Sequence, residues 1–114
     1  MPAVDLGDLQ QRLRAFAAER GWQPCHTPKN LSVALMVEAA ELAEIFQWMT
    51  PEQSLAARDD PALAEPIADE VADVLLYLLQ VADHAGVDLQ AAVERKLMKN
   101  AAKHPVPGAL PRTE

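Results

Sequence analysis

The sequence is short of glycine, cysteine and aromatic residues. It contains four Gly and one Cys in 114 residues, and its aromatic residues are two Trp, two Phe and one Tyr. With the single cysteine Cys25, no intrachain disulfide can form, which fits a reducing cytoplasm. The scarcity of Gly beside an apolar content of 50% favours a helical domain rich in Ala and Leu over an unfolded chain.

Basic residues are also in deficit. The 10 Lys and Arg residues against 17 Asp and Glu residues give a net charge of −7. A surface this acidic repels phosphate backbones, so we expect no binding to duplex DNA or RNA and none to anionic membranes. The start of the chain lacks the pattern of a signal peptide, and no apolar run is long enough to span a bilayer. A nucleotide stays compatible with this charge because a bound cation reverses it locally.

Apolar residues recur with helical spacing and predict four helices and no strand. The predicted helices are about 6–20, 31–49, 67–85 and 89–102. We expect Asn30 or Ser32 to cap the second helix and Asp88 to cap the fourth. Thr50 starts a short turn in which Gln53 completes a capping box, and residues 57–66 form a linker or a short irregular helix.

These helices predict a single all-α domain, a four-helix bundle over residues 1–105, followed by a Pro-rich tail over residues 106–114. The third helix is apolar over most of its circumference, which is typical of a buried helix. A bundle this small leaves more apolar surface than it can bury, so we expect a homodimer or homotetramer.

Carboxylates interrupt the apolar stripes of two helices. At about 100° per residue, Glu38 falls inside the stripe of the second helix, Glu41 lies at its edge and Glu44 lies nearer the solvent side. On the third helix, Glu70 and Asp73 repeat the i, i+3 spacing of Glu38 and Glu41. They belong to one polar strip: Asp69, Glu70, Asp73, Tyr77, Gln80 and His84.

Four carboxylates that converge in a core need a cation, because an unpaired buried charge costs several kcal/mol or stays protonated. An all-oxygen ligand set selects Mg²⁺ or Mn²⁺, and the absence of His or Cys within a turn of these groups argues against zinc. A single ExxE is common on solvated helix faces, whereas two acidic pairs on two apolar helices favour a metal site. A di-iron bundle needs Glu-x-x-His pairs, which this sequence lacks.

The wider context of these acids resembles the MazG-like superfamily of all-α nucleoside triphosphate pyrophosphohydrolases, and within it the dCTP pyrophosphatase branch. The ExxE pair at Glu38 and Glu41 is followed by ExxD at Glu70 and Asp73. The resemblance covers about residues 9–107. The other matching residues are Trp22, His26, Pro28, Lys29, Asn30, Leu31, Phe46, Gln47, Trp48, Tyr77, Lys96, Asn100, Lys103 and Pro105.

The resemblance implies Mg²⁺-dependent hydrolysis of a nucleoside triphosphate to the monophosphate and pyrophosphate. It implies that Glu38, Glu41, Glu70 and Asp73 are the catalytic metal ligands. It also implies assembly into dimers or dimers of dimers in which two subunits shape each pocket.

Each further candidate for substrate binding has a plainer alternative. Trp22, Trp48 and Tyr77 are candidates for the wall of the base pocket, or for core and interface packing. Lys96, Asn100 and Lys103 share one helix face and either bind phosphates or form an ordinary basic helix end. For His26 and Asn30 the alternatives to substrate contact are a solvated loop and a helix cap.

Two residues depart from the dCTP pyrophosphatase pattern. Leu13 stands where that branch has a His near the base, which leaves cytosine specificity open, and His104 stands where a Tyr is usual. Two other functions compete with the hydrolase: a non-catalytic helical module that binds a nucleotide or a partner, and a structural bundle with solvated acid pairs. Stabilisation by Mg²⁺ separates the hydrolase from the structural bundle.

Overall fold

A computed structural model describes residues 3–108, and its regular structure is helical. The five α-helices are Leu6–Glu19 (α1), Pro28–Phe46 (α2), Pro51–Ala56 (α3), Pro61–His84 (α4) and Leu89–Lys103 (α5). Short 3₁₀ turns, Gln23–Cys25 and Ala57–Asp59, precede α2 and α4. No strand occurs over this range, which confirms the all-α class. The short helix α3 makes the count five instead of the predicted four.

Side-chain caps fix where the helices begin. The capping box at Thr50 is confirmed: Gln53 N–H donates to Thr50 Oγ1 over 3.1 Å, and Thr50 N–H donates to Gln53 Oε1 over 2.9 Å. Asp88 also caps α5 as predicted, since Ala91 N–H donates to Asp88 Oδ1 over 3.1 Å. These caps satisfy backbone donors that a helix start leaves free.

The predicted start of the second helix is wrong. Thr27 caps α2 by accepting a hydrogen bond from Asn30 N–H over 3.1 Å, and Pro28 takes the first helical position. Neither Asn30 nor Ser32 is the cap, and Ser32 Oγ donates to Lys29 O over 2.9 Å. A Thr-Pro pair is the stronger start signal because proline has no N–H to satisfy there.

The predicted start of the third helix is wrong as well. Asp60 caps α4 by accepting a hydrogen bond from Ala62 N–H over 2.9 Å, and the helix begins at Pro61. Residues 61–66 are therefore helical, and Pro66 lies inside the helix. Pro66 removes one backbone bond in the second turn, which the long helix that follows tolerates.

The α2–α4 pair forms the centre of the fold, and α1 packs against α4. Glu41, Glu44 and Ile45 of α2 line one groove together with Pro66 and Glu70 of α4. Gln10 Nε2 donates to Leu79 O over 3.0 Å and fastens α1 to α4. The buried apolar residues of the described chain are Ala17, Leu31, Ala57, Leu79 and Ala82.

Much of the apolar surface stays uncovered in one chain. The third predicted helix is not buried all round, since Val71, Leu75 and Leu78 of α4 are exposed. Helix α5 makes only sparse contacts with the other elements. The radius of gyration is 18.1 Å, whereas a compact domain of this length has about 13 Å.

None of the helices between residues 3 and 108 is long and apolar enough to cross a membrane. The predicted tail begins within the described range, but its residues 109–114 lie outside it.

Candidate functional site

Three of the four predicted carboxylates meet between α2 and α4. One oxygen from each of Glu38, Glu41 and Glu70 lies within 4.8 Å of the other two. Glu38 and Glu41 stand one turn apart on α2, so the i, i+3 spacing brings both to the face that meets α4. We call these three residues the acid cluster.

The acid cluster is only partly open to solvent, and none of the ion pairs formed by residues 3–108 involves it. Glu38 and Glu70 are half-buried, and Glu41 is exposed. The Oε2 atoms of Glu38 and Glu70 are shielded from solvent, and neither has a hydrogen-bond partner in the described chain. The ion pairs among residues 3–108 lie elsewhere: Arg12–Asp8, Arg14–Asp83 and Arg20–Glu19.

The electrostatics of the acid cluster favour protonated carboxyls in the metal-free chain. Burial, together with the charge of Glu41, raises the pKa of Glu38 from its ordinary 4.5 to about 7. Burial also raises the pKa of Glu70, to which the charges of Glu41 and Asp73 add, while the Glu38 carboxyl acts in the opposite direction. Like charges held this close cannot all ionise without a counter-charge.

The raised pKa of Glu38 predicts that the metal-free protein loses stability as pH rises. Between pH 4.5 and about 7 the folded chain binds more protons at Glu38 than the unfolded chain. The stabilisation is therefore complete below pH 4.5 and is lost as pH passes about 7. In EDTA, we expect the wild-type unfolding midpoint to fall by several degrees between pH 5.5 and 8 relative to Glu38→Gln. Equal pH slopes for the two proteins would contradict this assignment.

The same features fit a divalent cation. Unpartnered, desolvated carboxylate oxygens are costly unless a positive charge joins them. Oxygen ligands of this kind suit a hard ion such as Mg²⁺ or Mn²⁺. Glu38, Glu41 and Glu70 therefore form a candidate metal site whose chemistry agrees with the sequence prediction.

Asp73 is the fourth predicted ligand, and it stands apart from the other three. It lies one turn beyond Glu70 on α4, close enough for its charge to raise the pKa of Glu70, but it does not join the acid cluster. Asp73 instead lines a cleft between α1 and α4 together with Leu13, Phe16 and Tyr77. The opposite side of the acid cluster is a shallow groove in which Glu44 lies beside Glu41 and Glu70.

Two of the predicted base-pocket aromatics lie near the α1–α4 cleft. Tyr77 lines it directly. Trp22 meets Phe16 edge-on with ring centroids 5.6 Å apart, and it lies 6.3 Å from His26. Trp48 is 89% exposed at the end of α2. Within one chain, Trp22, His26 and Tyr77 therefore lie in or near the α1–α4 cleft, whereas Trp48 lies away from it.

The remaining predicted binding residues are not brought to the acid cluster within one chain. Asn30 Nδ2 donates to Cys25 O over 3.1 Å, so this side chain braces the loop before α2. Lys96, Asn100 and Lys103 are exposed on α5, which has little contact with the other helices. Within one chain these three residues therefore lie apart from the acid cluster.

Known proteins resemble this chain over most of its length. The sequence model of the MazG-like family matches residues 33–112, which include both acidic pairs. The chain belongs to the MazG-like family.

Relatives of this MazG-like chain include dCTP pyrophosphatase 1 from Rattus norvegicus, 38% identical over 105 residues, and the protein of the same name from Homo sapiens, 38% identical over 104 residues. The alignments cover 92% and 91% of this chain but 62% and 61% of those proteins, so the chain spans about three fifths of their length. A solved structure of a pyrophosphatase from Archaeoglobus fulgidus superposes with a TM-score of 0.82. That protein is 38% identical, and the match covers 93% of this chain and 97% of that one.

Sequence reasoning left one feature of the MazG-like chain unassigned. Gln80 and His84 continue the polar strip of α4 beyond Tyr77, and with Gln10 they line a cavity against α1. The strip was visible as a spacing of three and four residues along one helix. The partner surface on α1 was not visible, because helix periodicity does not say which helices pack together.

Proposed function

We propose that this MazG-like chain is a Mg²⁺-dependent hydrolase that converts nucleoside triphosphates to the monophosphate and pyrophosphate. Mn²⁺ is a possible substitute. We infer deoxynucleoside triphosphates, dCTP-like or non-canonical, as substrates and sanitation of the nucleotide pool as the role. The observation that carries the proposal is the acid cluster, in which two desolvated oxygens of Glu38 and Glu70 lack any partner in the described chain. Family membership and the printed activities of the relatives support it.

In this proposal, Glu38, Glu41, Glu70 and Asp73 hold the metal at the phosphate end of the substrate. Bound Mg²⁺ neutralises phosphate oxygens and makes the phosphorus more open to attack. The chain would supply position: α2 and α4 hold Glu38, Glu41 and Glu70 beside one another, and Asp73 lines the α1–α4 cleft one turn beyond Glu70. A carboxylate at the site accepts the proton of the attacking water as the bond to pyrophosphate breaks. Trp22, Trp48 and Tyr77 would enclose the base, with His26 and Asn30 near it.

The assembly that we propose is a homodimer or homotetramer. Three helices of the described chain each expose three large apolar side chains, which a second copy would cover. They are Val33, Met36 and Val37 on α2, Val71, Leu75 and Leu78 on α4, and Val93, Leu97 and Met98 on α5. Contact between copies would also let α5 of one copy bring Lys96, Asn100 and Lys103 to the phosphates of another.

We further propose that residues 1–105 act as one domain, with 106–114 as its tail. The exposed, lone Cys25 supports a reducing compartment such as the cytoplasm.

An assay of products tests the activity. The purified chain with Mg²⁺ and a panel of canonical and modified deoxynucleoside triphosphates is expected to release pyrophosphate and the monophosphate. EDTA should stop the reaction. Pyrophosphate release is measured against orthophosphate release, because attack at the terminal phosphorus would yield orthophosphate and the nucleoside diphosphate instead.

Orthophosphate as the product would contradict the proposed bond cleavage. Binding of nucleotides without turnover of any of them would instead favour the non-catalytic nucleotide-binding module.

A further inference from the structure

Two histidines from different parts of the chain meet where α4 ends. The rings of His26, which follows the 3₁₀ turn Gln23–Cys25, and His84, the last residue of α4, have centroids 6.2 Å apart and planes at 87°. Both side chains line one cavity against α1. His84 lies 14 residues beyond Glu70 on α4, which is about 21 Å along the axis at ~1.5 Å per residue. The histidine pair is therefore separate from the acid cluster.

The spacing of the two rings fits a single metal ion. A metal–nitrogen bond is about 2.0–2.1 Å long and the nitrogen lies roughly 1.1 Å from the centre of its ring, so a bound ion lies about 3.2 Å from the imidazole centroid. Two rings on one ion therefore have centroids at most about 6.4 Å apart, and about 5 Å apart at a tetrahedral angle. The observed 6.2 Å lies inside this limit, and a rotation of the exposed His84 ring closes the remaining distance.

The surroundings leave the imidazoles available to a cation. The side-chain hydrogen bonds near the pair within residues 3–108 do not involve His26 or His84. The charged neighbours at the cavity neutralise each other, since Arg14 Nε donates to Asp83 Oδ2 over 2.7 Å. His84 also ends α4, and the carboxyl end of a helix attracts positive charge. The neighbours therefore carry no net positive charge that would oppose an ion.

The ligand type selects a different ion from the one that suits the acid cluster. Imidazole suits Zn²⁺, Ni²⁺ and Cu²⁺, whereas carboxylates suit Mg²⁺ or Mn²⁺. Within residues 3–108, the acid cluster is the group in which three ligand atoms lie within 4.8 Å of one another, so the histidine pair has no third protein ligand at that spacing. Water would fill the open positions, as it does at catalytic zinc sites. The bound ion is therefore exchangeable.

We propose that His26 and His84 form a second metal site, which binds a divalent transition metal ion such as Zn²⁺. The ion would link the segment before α2 to the carboxyl end of α4. Trp22 lies against His26 with ring centroids 6.3 Å apart, so an ion that fixes His26 would hold Trp22 as well. The site does not depend on the proposed hydrolysis, and its tests measure binding alone.

Calorimetric titration with Zn²⁺ in the presence of Mg²⁺ tests the site. His26→Asn and His84→Asn should each weaken Zn²⁺ binding by at least about tenfold, because even residues that only support metal ligands cost roughly 10- to 100-fold in affinity when removed. The third histidine of the chain, His104, lies at the end of α5, and His104→Asn is the matched control that should bind Zn²⁺ as wild type does. The acid cluster is the same in all these proteins, so the differences report on the histidine pair.

The fluorescence of Trp22 gives a local measurement. The chain has two tryptophans, so Trp48→Phe leaves Trp22 as the only one. Cu²⁺ at the histidine pair would lie close to the Trp22 ring, and we expect it to quench most of the emission at one equivalent. His84→Asn in the same background should remove this quenching at the same concentration of Cu²⁺.

Equal Zn²⁺ affinities of wild type and His84→Asn would overturn the site and leave an edge-to-face contact of two rings. Loss of Zn²⁺ binding in Cys25→Ser but not in His84→Asn would overturn it in favour of the exposed thiol. Circular dichroism checks that each variant is folded. His26 is half-buried and His84 is exposed, so neither substitution disturbs the core.

Discussion

Replacement of Glu70 by Gln is expected to lower pyrophosphate release by at least about a hundredfold, since groups that only support metal ligands already cost roughly 10- to 100-fold when removed. The amide keeps the shape of the side chain and loses the charge that holds a cation. The variant should also lose stabilisation by Mg²⁺, which for a real site is about 2.7 kcal/mol at a hundred times the dissociation constant. Product assays and thermal unfolding with and without Mg²⁺ measure both effects.

The same change should have the opposite effect on the metal-free protein. Glu70 on α4 lies close to Glu38 on α2. The shielded Oε2 atoms of these two residues have no hydrogen-bond partners in the described chain. Removing one charge relieves that repulsion, so Glu70→Gln in EDTA should unfold at or above the wild-type temperature. Loss of activity without loss of stability separates a metal ligand from a structural residue.

Glu65→Gln, on the same helix but outside the acid cluster, provides the matched control and should behave as wild type. A Glu70→Gln protein that Mg²⁺ still stabilises as much as wild type would remove Glu70 from the set of ligands.

The helical class of this chain could be predicted because its signals are local. The capping box of Thr50 and Gln53 and the helix cap at Asp88 each depend on residues within four positions of one another. The structure has both features where they were expected. The predicted starts of α2 and α4, at residues 31 and 67, were too late because apolar periodicity does not register a proline at the start of a helix. Pro28 and Pro61 both occupy the first helical position, where a missing N–H costs nothing.

The acid cluster was partly predictable for a related reason. Helix geometry places Glu38 and Glu41 on one face of α2 and Glu70 on one face of α4, so an apolar interface that joins the helices also joins the acids. That reasoning did not separate Asp73, which lines the α1–α4 cleft instead. The cavity between α1 and α4 depends on contacts between residues far apart in the chain, such as Gln10 with Leu79, 69 positions on, which periodicity does not report.

Replacement of Leu97 by Glu is expected to dissociate the proposed oligomer and to remove most of the proposed activity. Leu97 is 63% exposed on α5, and Val93 and Met98 of the same helix are exposed as well. An isolated helix of this length is marginal in water, so α5 gains its stability by packing an apolar face. Since α5 has so little contact with its own chain, that face is expected to lie on a second copy. A buried Glu there has no partner and opposes association.

The effect of Leu97→Glu on hydrolysis distinguishes a subunit interface from an ordinary exposed apolar patch. If α5 of one copy carries Lys96, Asn100 and Lys103 to the phosphates bound by another, dissociation removes phosphate contacts while each acid cluster stays intact. Leu97→Glu should therefore elute as a monomer in size-exclusion chromatography with light scattering, lose hydrolysis, and keep its stabilisation by Mg²⁺. Ala102→Glu adds the same charge about 140° round the helix from Leu97 and should stay oligomeric and active. A fully active Leu97→Glu monomer would show that one chain completes the site without α5 of another.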